Sequence, residues 1–126
     1  MKKIYLASPY SHPDDTIKIH RFKRIAEVVA SLMRKDGKSL FFSPIAFSHP
    51  VALYGNMDGS WVSWKKIDIE FINFCEELWV VMLDGWKEST GVKEELRYAL
   101  DQNKTVRFYQ PDLDTFIEYD EYEQWM

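Results

Sequence analysis

The chain predicts a small α/β domain of the doubly wound, flavodoxin-like kind. It has a mostly parallel sheet of four to five strands and helices on both faces. Three stretches carry the prediction. Lys3–Ala7 is a short apolar run that opens the chain as a first, central strand. Asp15–Lys35 repeats apolar residues at helical spacing: Ile17, Phe22, Ile25, Ala26, Val29, Leu32 and Met33. Leu78–Leu100 reads as a buried strand, a polar loop and a helix in succession, the unit that brings chemistry to the carboxyl end of a parallel sheet.

The remaining elements follow in order. Ser8–Pro13 is a polar, proline-marked loop, and Asp14, Asp15 or Thr16 can cap the helix behind it. Asp36 and Gly37 end that helix, with Gly37 as a left-handed stop. Ser39–Phe42 is a second strand. Residues 43–60 hold Pro44, His49, Pro50, Gly55, Asn56 and Gly59, and read as an irregular, lid-like segment. Trp61–Cys75 returns to a helical pattern, and the third strand runs Leu78–Leu83. Asn103 and Lys104 turn the chain into a fourth strand, Thr105–Tyr109, which Pro111 breaks. In the acidic, aromatic end, Asp112–Met126, residues Phe116, Tyr119, Tyr122 and Trp125 recur every three positions, which predicts a closing helix.

The bulk numbers narrow the function. A chain of 126 residues has length for one core, so residues 1–126 read as one domain. The formal charge of −4 lacks the concentrated positive face that a polymeric nucleic acid requires. Small anions remain open, since Arg21, Lys23 and Arg24 sit close together. A single cysteine, Cys75, excludes a disulfide scaffold and fits a reducing, cytoplasmic compartment. No run reaches membrane-spanning length or looks like a signal peptide. The glycine-rich dinucleotide fingerprint and the phosphate-binding P-loop are both missing. His12, His20, His49 and Cys75 have no metal-ligand spacing, so neither metal nor cofactor is expected.

Several residues can carry chemistry. Glu95 falls four residues after Gly91, near the amino end of the predicted helix, which favours its charged form. A carboxylate there serves as a nucleophile toward a sugar carbon or as a general acid or base, or merely satisfies the helix end. Glu94 points about 100° away around the helix, so the two cannot face one cleft. Asp68 sits among Ile67, Ile69, Phe71 and Ile72, either on a solvated edge or over a cavity. Asp84 closes the third strand, where carboxylates reach ligands or hold turns. Ser89, Thr90 and Gly91 lead into the helix and can hold an anion or simply cap it. Ser8 and Ser11 face the same cleft, and His49 lies in a loop at the same edge. Trp86, in a loop, can stack on a flat ring such as a nucleobase; core packing accounts for Trp79. Tyr5 either brings its hydroxyl to the central site or is a core tyrosine.

These motifs, in this order, resemble the nucleoside 2-deoxyribosyltransferase superfamily, and most of all a small, mostly phage and bacterial branch without an assigned activity. IYLASPY is similar to the family's first strand, with Tyr5 at its active-site tyrosine. The run from Asp68 to Glu76, D-x-x-F-I-x-x-C-E, resembles the helix with the family's aspartate, which falls on Asp68. Ser89–Leu96, STGVKEEL, resembles the loop and helix bearing the catalytic glutamate, which falls on Glu95. The resemblance implies cleavage of the N-glycosidic bond of a nucleoside or its 5′-monophosphate. Glu95 is then the nucleophile, Tyr5 orients it, and Asp68 holds the sugar or helps protonate the base. The sugar passes to water or to another base. Ser89 matches a phosphate-contacting serine of the monophosphate hydrolases, where the transferases carry an aspartate, and this tilts the resemblance toward a nucleotide substrate. Their serine and arginine after the first strand correspond here to Pro9 and Ser11, which leaves Ser8, Ser11 or Arg21 for a phosphate. The resemblance also implies a homodimer or larger assembly, with the aromatic tail, Tyr119, Tyr122 and Trp125, completing a neighbour's site. The alternative on the same fold is a non-catalytic nucleotide-binding or phage-associated interaction protein.

Overall fold

The computed structural model describes residues 1–123. Its strands are β1 (Lys2–Ala7), β2 (Ser39–Phe42), β3 (Glu77–Val81), β4 (Thr105–Gln110) and β5 (Thr115–Glu118). They form one sheet in the order β2-β1-β3-β4-β5, with β5 alone antiparallel. Among the described residues, five α-helices flank it: α1 (Asp15–Lys35), α2 (Pro44–Gly55), α3 (Trp61–Phe74), α4 (Thr90–Asp101) and α5 (Tyr119–Glu123). β1 is an interior strand, but the middle position belongs to β3, whose five residues are all buried.

Strand alternation divides the core into two layers. Ile4 and Leu6 of β1, with Trp79 and Val81 of β3, meet Ile25, Val28 and Leu32 of α1 on one face. Tyr5 and Ala7, with Leu78 and Val80, meet Ile72 of α3 and Val92 and Ala99 of α4 on the other. The chain leaves β1 toward β2 on one side and reaches β3 on the other. This makes a switch point with a crevice beyond the carboxyl ends of β1 and β3.

Three sequence expectations change. Residues 43–60 are largely helical, because the residues that read as breakers, Pro50 excepted, stand at or beyond helix ends. Ser43 caps α2 by accepting from the Ala46 N–H at 3.1 Å, Pro44 opens it, and Asn56 ends it at φ 55°. Pro50 lies inside the helix. Second, α1 ends without a left-handed Gly37. Asp36 turns extended at φ −137°, and its carboxylate accepts from the Lys38 N–H and the Ser39 hydroxyl at 2.9 and 2.8 Å. Third, the expected closing helix begins as a strand. A turn with Asp114 at φ 52° sends β5 back along β4, where the Arg107 guanidinium lies 3.7 Å from the Phe116 ring centre. Trp125 and the Tyr122 side chain lie outside the described residues.

The loop after β3 depends on one glycine. Gly85 stands at φ 90°, and a Cβ added there would collide with Nη2 of Arg21. Gly85→Ala is expected to cost about 1–2 kcal/mol, read as a lower urea midpoint with an unchanged slope.

Candidate active site

Two acidic residues interrupt otherwise apolar helix stripes at the switch point. The buried stripe of α3 runs Trp64, Asp68, Ile72, and that of α4 runs Val92, Glu95, Ala99. Asp68 and Glu95 therefore occupy core positions, with 6% and 4% exposure. Both line a cavity of about 180 Å³ at the carboxyl edge of the sheet. Ser8 and Ser11 reach it from the loop after β1, and Ser89 and Gly91 from the start of α4.

Tyr5 stands directly behind Glu95. It is fully buried on β1, and its hydroxyl donates to Oε2 of Glu95. Burial raises Glu95 well above the usual carboxylate range; the Tyr5 hydrogen bond works against this rise and the charge of Asp68 adds to it. Burial alone pushes Asp68 up to about 7. Tyr5 is raised as well, by burial first and then by the charge of Glu95. A carboxylate with a fixed orientation, and a second that carries its proton near neutrality, can serve as nucleophile and acid respectively.

Three aromatic residues form the walls, and each has its polar atom tied outside the cavity. The Tyr10 hydroxyl meets Nδ1 of His49 at 2.6 Å. Trp64 donates its indole N–H to the Asp58 carbonyl at 2.8 Å, and Trp61 donates to Oε2 of Glu94. This last bond answers the choice between the neighbouring glutamates: Glu95 faces the cavity while Glu94 braces its wall. The start of α3 is equally fixed, since the Asp58 carboxylate accepts from the Ser60 N–H and the Ser63 hydroxyl at 3.0 and 2.8 Å.

Four expected site residues lie away from the cavity. His49 is behind Tyr10, stacked on Phe22 with ring centres 4.2 Å apart, and burial lowers its pKa. Arg21 spends Nη1 on the Ser11 carbonyl at 2.9 Å and lines a separate cavity of about 350 Å³ with Asp84. Trp86 packs toward Phe108, with ring centres 5.6 Å apart. Strand-end position alone suggested Asp84 and Trp86, but the residues after β3 diverge between the two sides of the sheet. Tyr10, Trp61 and Trp64 were not singled out as site residues. The interrupted stripes 64-68-72 and 92-95-99 were visible signals for that end of each helix. Among the described residues, no group of three or more His, Cys, Asp or Glu is placed to hold a metal ion.

The family model described as "Domain of unknown function (DUF1937)" matches residues 2–111. The chain belongs to this family. No curated protein matches it. The solved structures that resemble this DUF1937 chain include two 2-deoxyribosyltransferases. One is a 2-deoxyribosyltransferase from Bacillus psychrosaccharolyticus, at 24% identity and a TM-score of 0.55, covering 86% of this chain and 72% of that one. The other, a 2-deoxyribosyltransferase from Leishmania mexicana, has 21% identity and a TM-score of 0.56, covering 86% of this chain and 64% of that one. The DUF1937 chain thus has a nucleoside 2-deoxyribosyltransferase-like fold. No helix among its described residues is long and apolar enough to cross a membrane.

The raised Asp68 has a consequence for stability. An acid whose folded pKa lies above its unfolded value binds more protons folded than unfolded between the two. Its contribution to stability therefore falls as pH rises from about 4 to about 7. Asp68→Asn removes this dependence. The variant is expected to be more stable than the parent above pH 7, by up to about 4 kcal/mol, and to lose that advantage in acid; urea titrations across pH check both.

Proposed function

We propose that the protein cleaves the N-glycosidic bond of a nucleoside, with Glu95 as the nucleophile. The observation that carries this reading is the Tyr5–Glu95 pair: a buried carboxylate, aimed by a buried hydroxyl, at an aromatic-walled cavity rich in serines. The reactive form has Glu95 ionised, which the Tyr5 hydrogen bond favours, and Asp68 protonated; one oxygen of Glu95 bonds to the anomeric carbon as the bond to the base breaks, and the bonding electrons leave with the base. Asp68, protonated near neutrality, supplies the proton a neutral base needs to depart. Water, or a second base, then attacks the anomeric carbon and gives its proton to the ionised Asp68 as the ester bond to Glu95 breaks, which restores both carboxyl groups to their starting state.

The cavity favours a nucleoside over its monophosphate. Its lining includes Asp68, Glu88 and Glu95 but no lysine, arginine or histidine. A phosphate there would face Glu88 and oppose the ionisation of Asp68 and Glu95, with no cation to offset its charge. The Ser89 hydroxyl is also engaged, as it caps α4 by accepting from the Val92 N–H at 3.2 Å. The likeness to 2-deoxyribosyltransferases supports the nucleoside class, with hydrolysis and transfer both within the reading.

Chromatography of 2′-deoxynucleosides incubated with the protein, with and without a second free base, tests the proposal. Glu95→Gln is expected to lower base release by at least about a thousandfold while the substrate still binds. Turnover that survives the change removes Glu95 from the mechanism. Tyr5→Phe takes away the hydrogen bond that favours ionised Glu95, so the acidic limb of the rate profile is expected to move to higher pH. An unmoved limb would show that Tyr5 only fills space.

A further inference from the structure

The cavity is one-sided in charge as well as aromatic. Asp68, Glu88 and Glu95 line it, and the nearby cations are directed elsewhere. Arg21 holds the Ser11 carbonyl, and Lys18 pairs with Asp15 at 3.1 Å. The walls offer ring surface, because the polar atoms of Tyr10, Trp61 and Trp64 are bonded to His49, Glu94 and Asp58. Ring faces and the Glu88 carboxylate attract positive charge, and a cation beside Asp68 and Glu95 favours the ionised forms that burial resists. A further observation points to a ligand: the Ser8 hydroxyl oxygen, on a residue only 5% exposed at the cavity, has no hydrogen-bond partner.

We propose that the preferred substrate is an N-glycoside whose base carries a fixed positive charge, such as a ring-alkylated purine nucleoside. The inference rests on the glycosidase reading above and names the substrate class within it. The positive ring lies among the aromatic walls and carboxylates, and the sugar hydroxyls supply a partner for Ser8. The chemistry balances without an acid. A Glu95 oxygen forms a bond to the anomeric carbon, the carbon–nitrogen bond breaks, and its electron pair neutralises the ring nitrogen. The base departs as a neutral molecule. Water then attacks the anomeric carbon, the ester bond to Glu95 breaks, and one proton is released.

The matched probes are 7-methyl-2′-deoxyguanosine, a cation below neutral pH, and its neutral outline, 7-deaza-7-methyl-2′-deoxyguanosine. Their binding to Glu95→Gln is measured by calorimetry. Base release by the parent is followed from the cation and from 2′-deoxyguanosine, each corrected for spontaneous loss. The cation is expected to bind about tenfold more tightly than the neutral outline, and to be the better substrate by at least that factor. Glu88→Gln is expected to narrow the binding ratio by about threefold. Equal affinity for the two matched probes overturns the charge preference and leaves the glycosidase reading standing if 2′-deoxyguanosine is cleaved. Release from neither substrate by the parent overturns the inference together with the reading beneath it.

Discussion

Glu95 is held nearly out of reach of water, and the hydroxyl of Tyr5 is its partner there. Much of the local architecture follows from accommodating this pair. On α4, Val92 and Ala99 pack into the sheet, and an apolar side chain at 95 would continue their stripe. A glutamate in that position resists ionisation, and the fold offsets this with one buried donor rather than a cation. Asp68 repeats the compromise on α3, between Trp64 and Ile72. Both helices accept a less stable inner face in exchange for a carboxylate at the head of the sheet.

The elements that enclose the cavity are braced from outside it. α2 carries no charged side chain and lies over α1, where Phe22 and His49 stack. His49 in turn holds Tyr10. Asp58 organises the entry to α3, and Glu94 ties Trp61 to α4. Arg21 performs a comparable task on the far side, joining α1 to the Ser8–Ser11 loop and sitting against Gly85. His49 and Arg21, which the sequence offers as ligand-binding residues, are therefore engaged in holding the residues that line the cavity.

The periodic elements were legible. The apolar spacing of α1 located Asp15–Lys35 to the residue, because a long amphipathic helix with a capping aspartate overrides local ambiguity. The third strand was set one residue late at its start and two residues long at its end, since Met82 and Leu83 are apolar yet follow the last ladder residue. α2 was hidden by its prolines and glycines, whose meaning depends on whether they stand inside a helix or at its ends. β5 was hidden by the spacing of Phe116 and Tyr119, which fits one face of a helix as well as a strand followed by a turn.

From the sequence alone came the α/β class, the strand-loop-helix unit and the candidate trio of Tyr5, Asp68 and Glu95. Each of these rests on patterns within a short run of chain or on a motif that resembles a known one. Tertiary structure decided which residues share a cavity. Tyr5 and Glu95 are ninety positions apart and meet because β1 and α4 pack on one face of the sheet. Arg21 and Asp84 were drawn to the other side by α1, while Trp86 turned toward Phe108. Facing is set by strand alternation, helix register and the handedness of each crossover acting together, and no single stretch of sequence contains all three.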